Sequence, residues 1–189
     1  MTTKKIIGLS ALLASISLGA QAANFNYNYG QIGYETGDVE GLALTGSFDI
    51  NKDMFVLGRF IDGDFDEAGV DADYSEYSIG AGYHMPVNPQ TDAVFTLSFH
   101  SAEVDVTLPF GLGTASDDDT GILFSAGVRH MLNQQIELAG NIFHTTVFDG
   151  DTGFYGEVRY NINNKMSAGL NYTSSDAVDG LGINFRMGF

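Results

Sequence analysis

Cysteine is absent from the 189 residues, so no disulfide, thiolate metal site or lipidated cysteine can form. Tryptophan is absent as well, and proline occurs only three times. No uninterrupted apolar run approaches the ~20 residues that a membrane-spanning helix requires. Basic residues are also scarce: eight Lys and Arg stand against 24 Asp and Glu, a net charge of −16. Nothing here would neutralise phosphates, which excludes nucleic acid as a partner. What the chain does have is glycine, 24 of them, as many short strands joined by tight turns would need. Its length suits one domain.

Residues 1–22 read as a cleaved secretory signal peptide. Lys4 and Lys5 form the positive start, Ile6 to Leu18 the apolar stretch, and Ala20-Gln-Ala22 the small-residue cleavage site. The apolar stretch is too short to span a bilayer. Cleavage removes two lysines, leaving six basic and 24 acidic residues and a net charge of −18 on residues 23–189.

Beyond that point, segments of alternating hydrophobicity follow one another, separated by turn residues. The expected segments are 25–36, 41–50, 54–61, 74–84, 93–104, 120–131, 136–148, 153–162, 166–174 and 180–189. In 41–50, Leu42, Leu44, Phe48 and Ile50 share one face; in 74–84, Tyr77, Ile79, Ala81 and Tyr83 do. The first segment is less regular. Phe25, Tyr27 and Tyr29 fall on one parity and Ile32 and Tyr34 on the other, which suggests a bulge near Gly30. Ten segments make an all-β, antiparallel up-and-down barrel, since an even count closes with both termini on one side. Eight strands is the alternative, if two segments belong to loops.

Alternation alone cannot tell a membrane barrel from a soluble one with an apolar interior. The polar faces decide it. They hold Gly, Ser, Asn, Thr and a few Arg and Glu, with no lysine in any segment, which suits a tight polar interior and not a solvated exterior. The apolar face then meets lipid. Tyr83, Tyr160 and Tyr172, near strand ends, suit an interfacial girdle.

On this assignment Arg59, Glu76, Arg129, Glu137, Glu157, Arg159 and Arg186 form an inward charge network. A tight turn centred on Asn133 sets Arg129 directly opposite Glu137, and the same arithmetic allows Arg59 to face Glu76. The outer connections, among them Asp62–Asp73 and Asp105–Asp118, collect acid: Asp62, Asp64, Asp66, Asp71, Asp73, Asp117, Asp118 and Asp119 stand out. Such a rim concentrates cations, offering a weak divalent-cation or lipopolysaccharide contact. The stretch Asp62–Asp73 matches a calcium loop at its first, third and fifth positions but carries Glu67 and Asp73 where Gly and a bidentate Glu are needed. Asp119-Thr-Gly121 and Asp151-Thr-Gly153 resemble the aspartic-protease triplet, yet both sit where Asp and Gly serve as turn residues. The four histidines show no ligand spacing. No metal site, cofactor or catalytic residue is expected.

The last strand sets Leu181, Ile183, Phe185, Met187 and Phe189 on one face, and the chain stops on Phe189. This ending resembles the assembly signal of Gram-negative outer-membrane β-barrels, and residues 23–189 resemble the small members of that group throughout. Tyr27-Asn-Tyr29, Gly33-Tyr34, Gly46-Ser47 and Phe55–Gly58 are similar to a family once described as a secreted quorum-sensing factor, whose members look like integral barrels. The resemblance implies a cell outer-membrane location and assembly by the barrel-insertion machinery, with outer-membrane lipid and lipopolysaccharide as surroundings. A monomer is expected. The expected function is a non-enzymatic structural or surface-interacting barrel. A narrow cation-preferring porin-like channel is the alternative, and a lipid- or peptide-modifying barrel enzyme ranks third.

Overall fold

The computed structural model describes residues 25–67, 70–107 and 113–189. The stretch 1–22, read as a signal peptide, lies outside the described residues. Ten strands run β1 (Tyr29–Gly37), β2 (Val39–Asp49), β3 (Met54–Glu67), β4 (Val70–Asn88), β5 (Thr91–Thr107), β6 (Thr114–Met131), β7 (Ile136–Thr145), β8 (Asp151–Asn161), β9 (Met166–Ser175) and β10 (Asp179–Gly188). Each pairs antiparallel with its sequence neighbours, and β1 pairs with β10 to close the barrel. Ten strands are therefore present, not eight. Closure leaves no open edge at membrane depth, where an unpaired backbone group would be costly.

Alternation sets the wall. Ile32, Leu42, Leu44, Phe48, Ile79, Leu97, Ile142, Leu170, Leu181 and Ile183 point outward and are exposed, as a lipid-facing surface requires. The opposite parity carries Ser47, Ser78, Ser98, Glu137, Glu157, Arg159, Ser167, Asn171 and Asn184, all buried inside. No bulge interrupts β1 at Gly30, because its register with β2 and β10 is continuous from Tyr29 onward. The parity conflict has a simpler cause: Tyr29 belongs to the inward face, while Ile32 and Tyr34 face lipid.

The two long outer connections are not loops. The β3–β4 ladder continues to Glu67↔Val70, and the β5–β6 ladder to Thr107↔Thr114. Asp62, Asp64, Asp66, Asp71, Asp73, Asp117, Asp118 and Asp119 thus lie on strands. The physical reason is in the sequence between them. Gly63, Phe65, Ala72 and Tyr74 keep period two through the acidic stretch, so β3 and β4 go on pairing with these residues on the inner face and Asp62, Asp64 and Asp73 on the outer. The calcium-like segment is consequently drawn out along two strand arms. β7 meets β6 only from Leu123↔Thr145 onward. Thr114–Ile122, about 30 Å of strand at ~3.3 Å per residue, therefore stands clear of β7, and β3 to β6 extend outward as a sheet.

Three of the short turns share one construction. Asn133 Oδ1 accepts from the backbone N–H of Gln135 at 2.8 Å and Ile136 at 2.9 Å. Asn51 does the same for Asp53 and Met54, and Asn163 for Lys165 and Met166. Each turn is closed by the aliphatic residue before the Asn, as in the 2.9 Å bond from Leu132 N to Ile136 O.

Candidate functional site in the barrel lumen

The inward side chains sort into levels along the barrel axis. At the periplasmic end, Phe25–Asn28 precedes β1 and folds into the mouth. Tyr27 is buried, its ring stacked on His84 at 4.1 Å and on Phe55 at 4.8 Å between centroids. Its hydroxyl donates to Asp92 at 3.1 Å, and the same Asp92 oxygen lies 3.1 Å from His84 Nδ1. Arg129 packs its guanidinium over the rings of Tyr27 and Phe25, at 4.7 and 5.0 Å. Gly82 makes room for this stack, since a Cβ there would lie 2.1 Å from the Phe55 ring.

Arg129 Nε donates to Glu137 at 2.7 Å. The two are not directly opposite: Arg129 pairs with Ala139 in the ladder, and Glu137 with Met131. The turn centre lies at Gln134, one residue later than a turn centred on Asn133 requires, because the Asn133 side chain accepts from the N–H groups of Gln135 and Ile136. Both side chains keep their inward parity, and the arginine reaches diagonally. Across the other ladder Glu137 stands opposite Arg159.

The middle level centres on Arg159, which is 1% exposed. It donates to Glu157 through Nη2, to Gln31 Oε1 at 2.9 Å and to Ser167 Oγ at 3.2 Å. Gln31 Oε1 also accepts from Arg186 Nε at 2.9 Å, and Glu157 accepts from Asn184 at 2.7 Å. Arg186 lies over the Tyr29 ring at 3.8 Å and 4.0 Å from Glu157. Buried charges persist only when paired and hydrogen-bonded; here three arginines share two glutamates, with Gln31 and Asn184 as amide partners of the inner three, while Arg159 Nε has no partner among the described residues.

Towards the outside, Arg59 does not pair with Glu76. The ladder sets Arg59 opposite Ser78 and Glu76 opposite Ile61, again two positions from the expected register. Arg59 Nη2 instead meets Glu35 Oε1 at 3.2 Å. Glu76 takes the Tyr74 hydroxyl at 2.9 Å and lies 3.3 Å from His100 Nε2, while His100 Nδ1 lies 2.7 Å from Thr145 Oγ1. Above this level Val39, Ala43 and Ile61 form an apolar cluster packed against Phe65, Tyr74 and Val178. Phe189, at the far end, is 68% exposed on the lipid face, and its N–H donates to Asn28 O at 3.2 Å.

Sequence reasoning left Gln31, Glu35 and Asp92 out of the lumen, and it placed His84 and Asn184 on the polar strand faces without finding their partners. Parity could have found Glu35 and Gln31, which alternate with Ile32 and Tyr34. Asp92, and the pairing of His84 with it, stayed hidden because their shared partner, Tyr27, lies outside any strand. The outer carboxylates form rows. Asp64, Asp73 and Asp105 are register neighbours on β3, β4 and β5, as are Glu103 and Asp118 on β5 and β6.

A closed ten-stranded barrel, apolar outside and charged within, is the form in which β-structure crosses a membrane. A family model for the outer membrane protein beta-barrel domain matches residues 8–156. The chain belongs to that family. This outer-membrane barrel is similar in fold to the KdgM porin, at 7% identity and TM-score 0.53 over 85% of this chain and 99% of that one. It is also similar to Ail, the attachment invasion locus protein of Yersinia pestis, at 18% identity and TM-score 0.47, covering 84% and 95% of the two chains. Neisserial surface protein A follows at 11% identity and TM-score 0.45, covering 85% and 94%. Identities this low convey the fold alone. No curated protein matches the outer-membrane barrel in sequence.

Proposed function

We propose that this protein is a closed, non-enzymatic barrel of the outer membrane that acts through the acidic sheet it raises outside. The observation carrying this reading is the filled middle of the lumen. Arg159, buried to 1% exposure, is bonded to β1, β8 and β9 through Gln31, Glu157 and Ser167, which supports a lumen whose middle is occupied by paired charge. The Tyr27 stack on one side and the Val39–Ala43–Ile61 cluster on the other support the same reading. On this proposal the chain is matured by loss of residues 1–22, inserted by the barrel-assembly machinery and works as a monomer. Rows of opposed carboxylates on β3 to β6 support contact with a lipopolysaccharide layer bridged by divalent cations.

The test is conductance of the purified protein in planar bilayers. No stepwise current is expected. Reproducible steps with a preference for cations that weakens at high salt would replace this reading with that of a narrow channel.

A further inference from the structure

On the inner face of the outward sheet, beyond the end of β7, Val104, Val106 and Ala115 form an apolar floor. Ser116, Asp117 and Phe148 complete a niche of about 350 Å³. That volume lies at the small end of the range for small-molecule sites, which join an apolar lining to a few placed polar groups. We propose that this niche binds a small organic ammonium ion, a compact apolar group carrying one positive charge.

The wall is held in place before any ligand arrives. Phe148 and Asp149 adopt left-handed backbone angles, φ 49° and 67°, which side chains other than Gly rarely hold unless their surroundings fix them. Here the fixing contacts are visible. Phe148 N donates to Asp119 Oδ2 at 2.7 Å, Thr146 N to Ile122 O at 3.0 Å and Gly150 N to Val147 O at 3.1 Å. Val147 is buried beneath. Phe148 itself is 41% exposed, an aromatic ring kept on the niche at the expense of local backbone strain.

Charge selects the ligand's sign. Asp119 is occupied, its second oxygen accepting from Thr120 N at 2.8 Å. Asp117 makes no hydrogen bond or ion pair among the described residues and opens onto the niche. Glu103 and Asp118 are register neighbours on the same two strands but lie on the opposite face, away from the niche. The basic residues beyond position 22 lie elsewhere: Lys52 and Lys165 in periplasmic turns, and the four arginines in the lumen. An ammonium group can meet the free Asp117 carboxylate and the face of Phe148 together, while its apolar body covers the valines. An anion would face the uncompensated Asp117 carboxylate.

The niche lies outside the closed lumen, so the inference stands or falls independently of conductance. The test uses the full protein in zwitterionic nanodiscs with ¹³C-labelled valine methyl groups. It is titrated with phenethylammonium, the neutral 2-phenylethanol and the anion 3-phenylpropionate. Saturable shifts at Val104 and Val106 are expected with phenethylammonium at millimolar concentration, weaker ones with the alcohol and none with the anion. Asp117→Asn should weaken the cation about three- to fivefold, the range of an exposed charge contact, and leave the alcohol unchanged. Equal response to all three probes, an unaltered cation response in Asp117→Asn, or shifts confined to the lipid-facing Val56 and Val158 would each overturn the proposal.

Discussion

Glu137 shows what a single inward side chain contributes. It is buried and accepts from Arg129 at 2.7 Å, so removing it strands a guanidinium in a filled lumen. Breaking one partner of a buried pair costs about 3–5 kcal/mol, whereas removing both can be far milder. Glu137→Ala should therefore lower the unfolding midpoint in detergent more than Arg129→Ala/Glu137→Ala does. A double variant at least as unstable as the single would mean that solvent screens both groups. Glycines give a second contrast. A Cβ at Gly82 would lie 2.1 Å from the Phe55 ring, while one at lipid-facing Gly30 meets nothing within 4 Å. Gly82→Ala is expected to cost about 1–3 kcal/mol by overpacking and to disturb the Tyr27–His84 stack, with Gly30→Ala close to wild type in the same unfolding assay. The inward parity of Arg129 and Glu137 was legible in the sequence because it depends only on counting by two. Which residues touch was not, because arginine reaches past its ladder partner and a turn can add a residue without changing either parity.

Among the elements, the turns and hairpins set the limits of sequence reading. Ile50-Asn51, Leu132-Asn133 and Ile162-Asn163, each followed three residues later by Met54, Ile136 or Met166, repeat one pattern three times. The Asn side chain builds all three turns in the same way. Recognising that repeat would have placed the β6–β7 register correctly. The acidic hairpins were misread for a different reason. Carboxylates were weighed as loop formers, although the residues between them kept strand periodicity, and like charges set opposite one another cost about 0.2–1 kcal/mol without preventing pairing. Asp64, Asp73 and Asp105 meet in this way. Magnesium should accordingly raise the unfolding midpoint relative to chelator, and Asp73→Asn should raise it in chelator while shrinking the magnesium response. A magnesium effect untouched by Asp73→Asn would place the cation elsewhere. The last strand carries its own comparison, since Leu181 and Phe189 both face lipid, 59% and 68% exposed. If terminal position is what matters, Phe189→Ala should leave more unassembled protein in the periplasm than Leu181→Ala, with similar midpoints once folded. Equal assembly of the two would remove the terminal Phe from the insertion signal.

On the proposed reading the whole barrel is closed in series, and the order of the closures makes a prediction that no single level does. The periplasmic stack rests on Tyr27, which is joined to the wall through Asp92, His84 and Arg129. The middle rests on Arg159 and Glu157 with Arg186, and the outer end on the Val39–Ala43–Ile61 cluster. Tyr27→Ala opens the first level only, so its conductance in planar bilayers should stay at the baseline of the unmodified protein. Glu157→Ser/Arg159→Ser removes both members of one buried pair and leaves Arg186 with Gln31 and the Tyr29 ring as partners, so the folding penalty should be smaller than that of Glu157→Ser alone. Combined with Tyr27→Ala it clears two consecutive levels and shortens the dry path to the apolar cluster. Intermittent conductance should then appear. It should favour cations, because the outer carboxylates have no basic neighbours to offset them, and the preference should fade as salt shortens the Debye length from ~10 Å at 0.1 M to ~3 Å at 1 M. Current through Tyr27→Ala alone would show that the N-terminal stack is the principal seal and that the middle level is wet. A silent triple variant with an intact heat-modifiable fold would place the seal at the Val39–Ala43–Ile61 cluster.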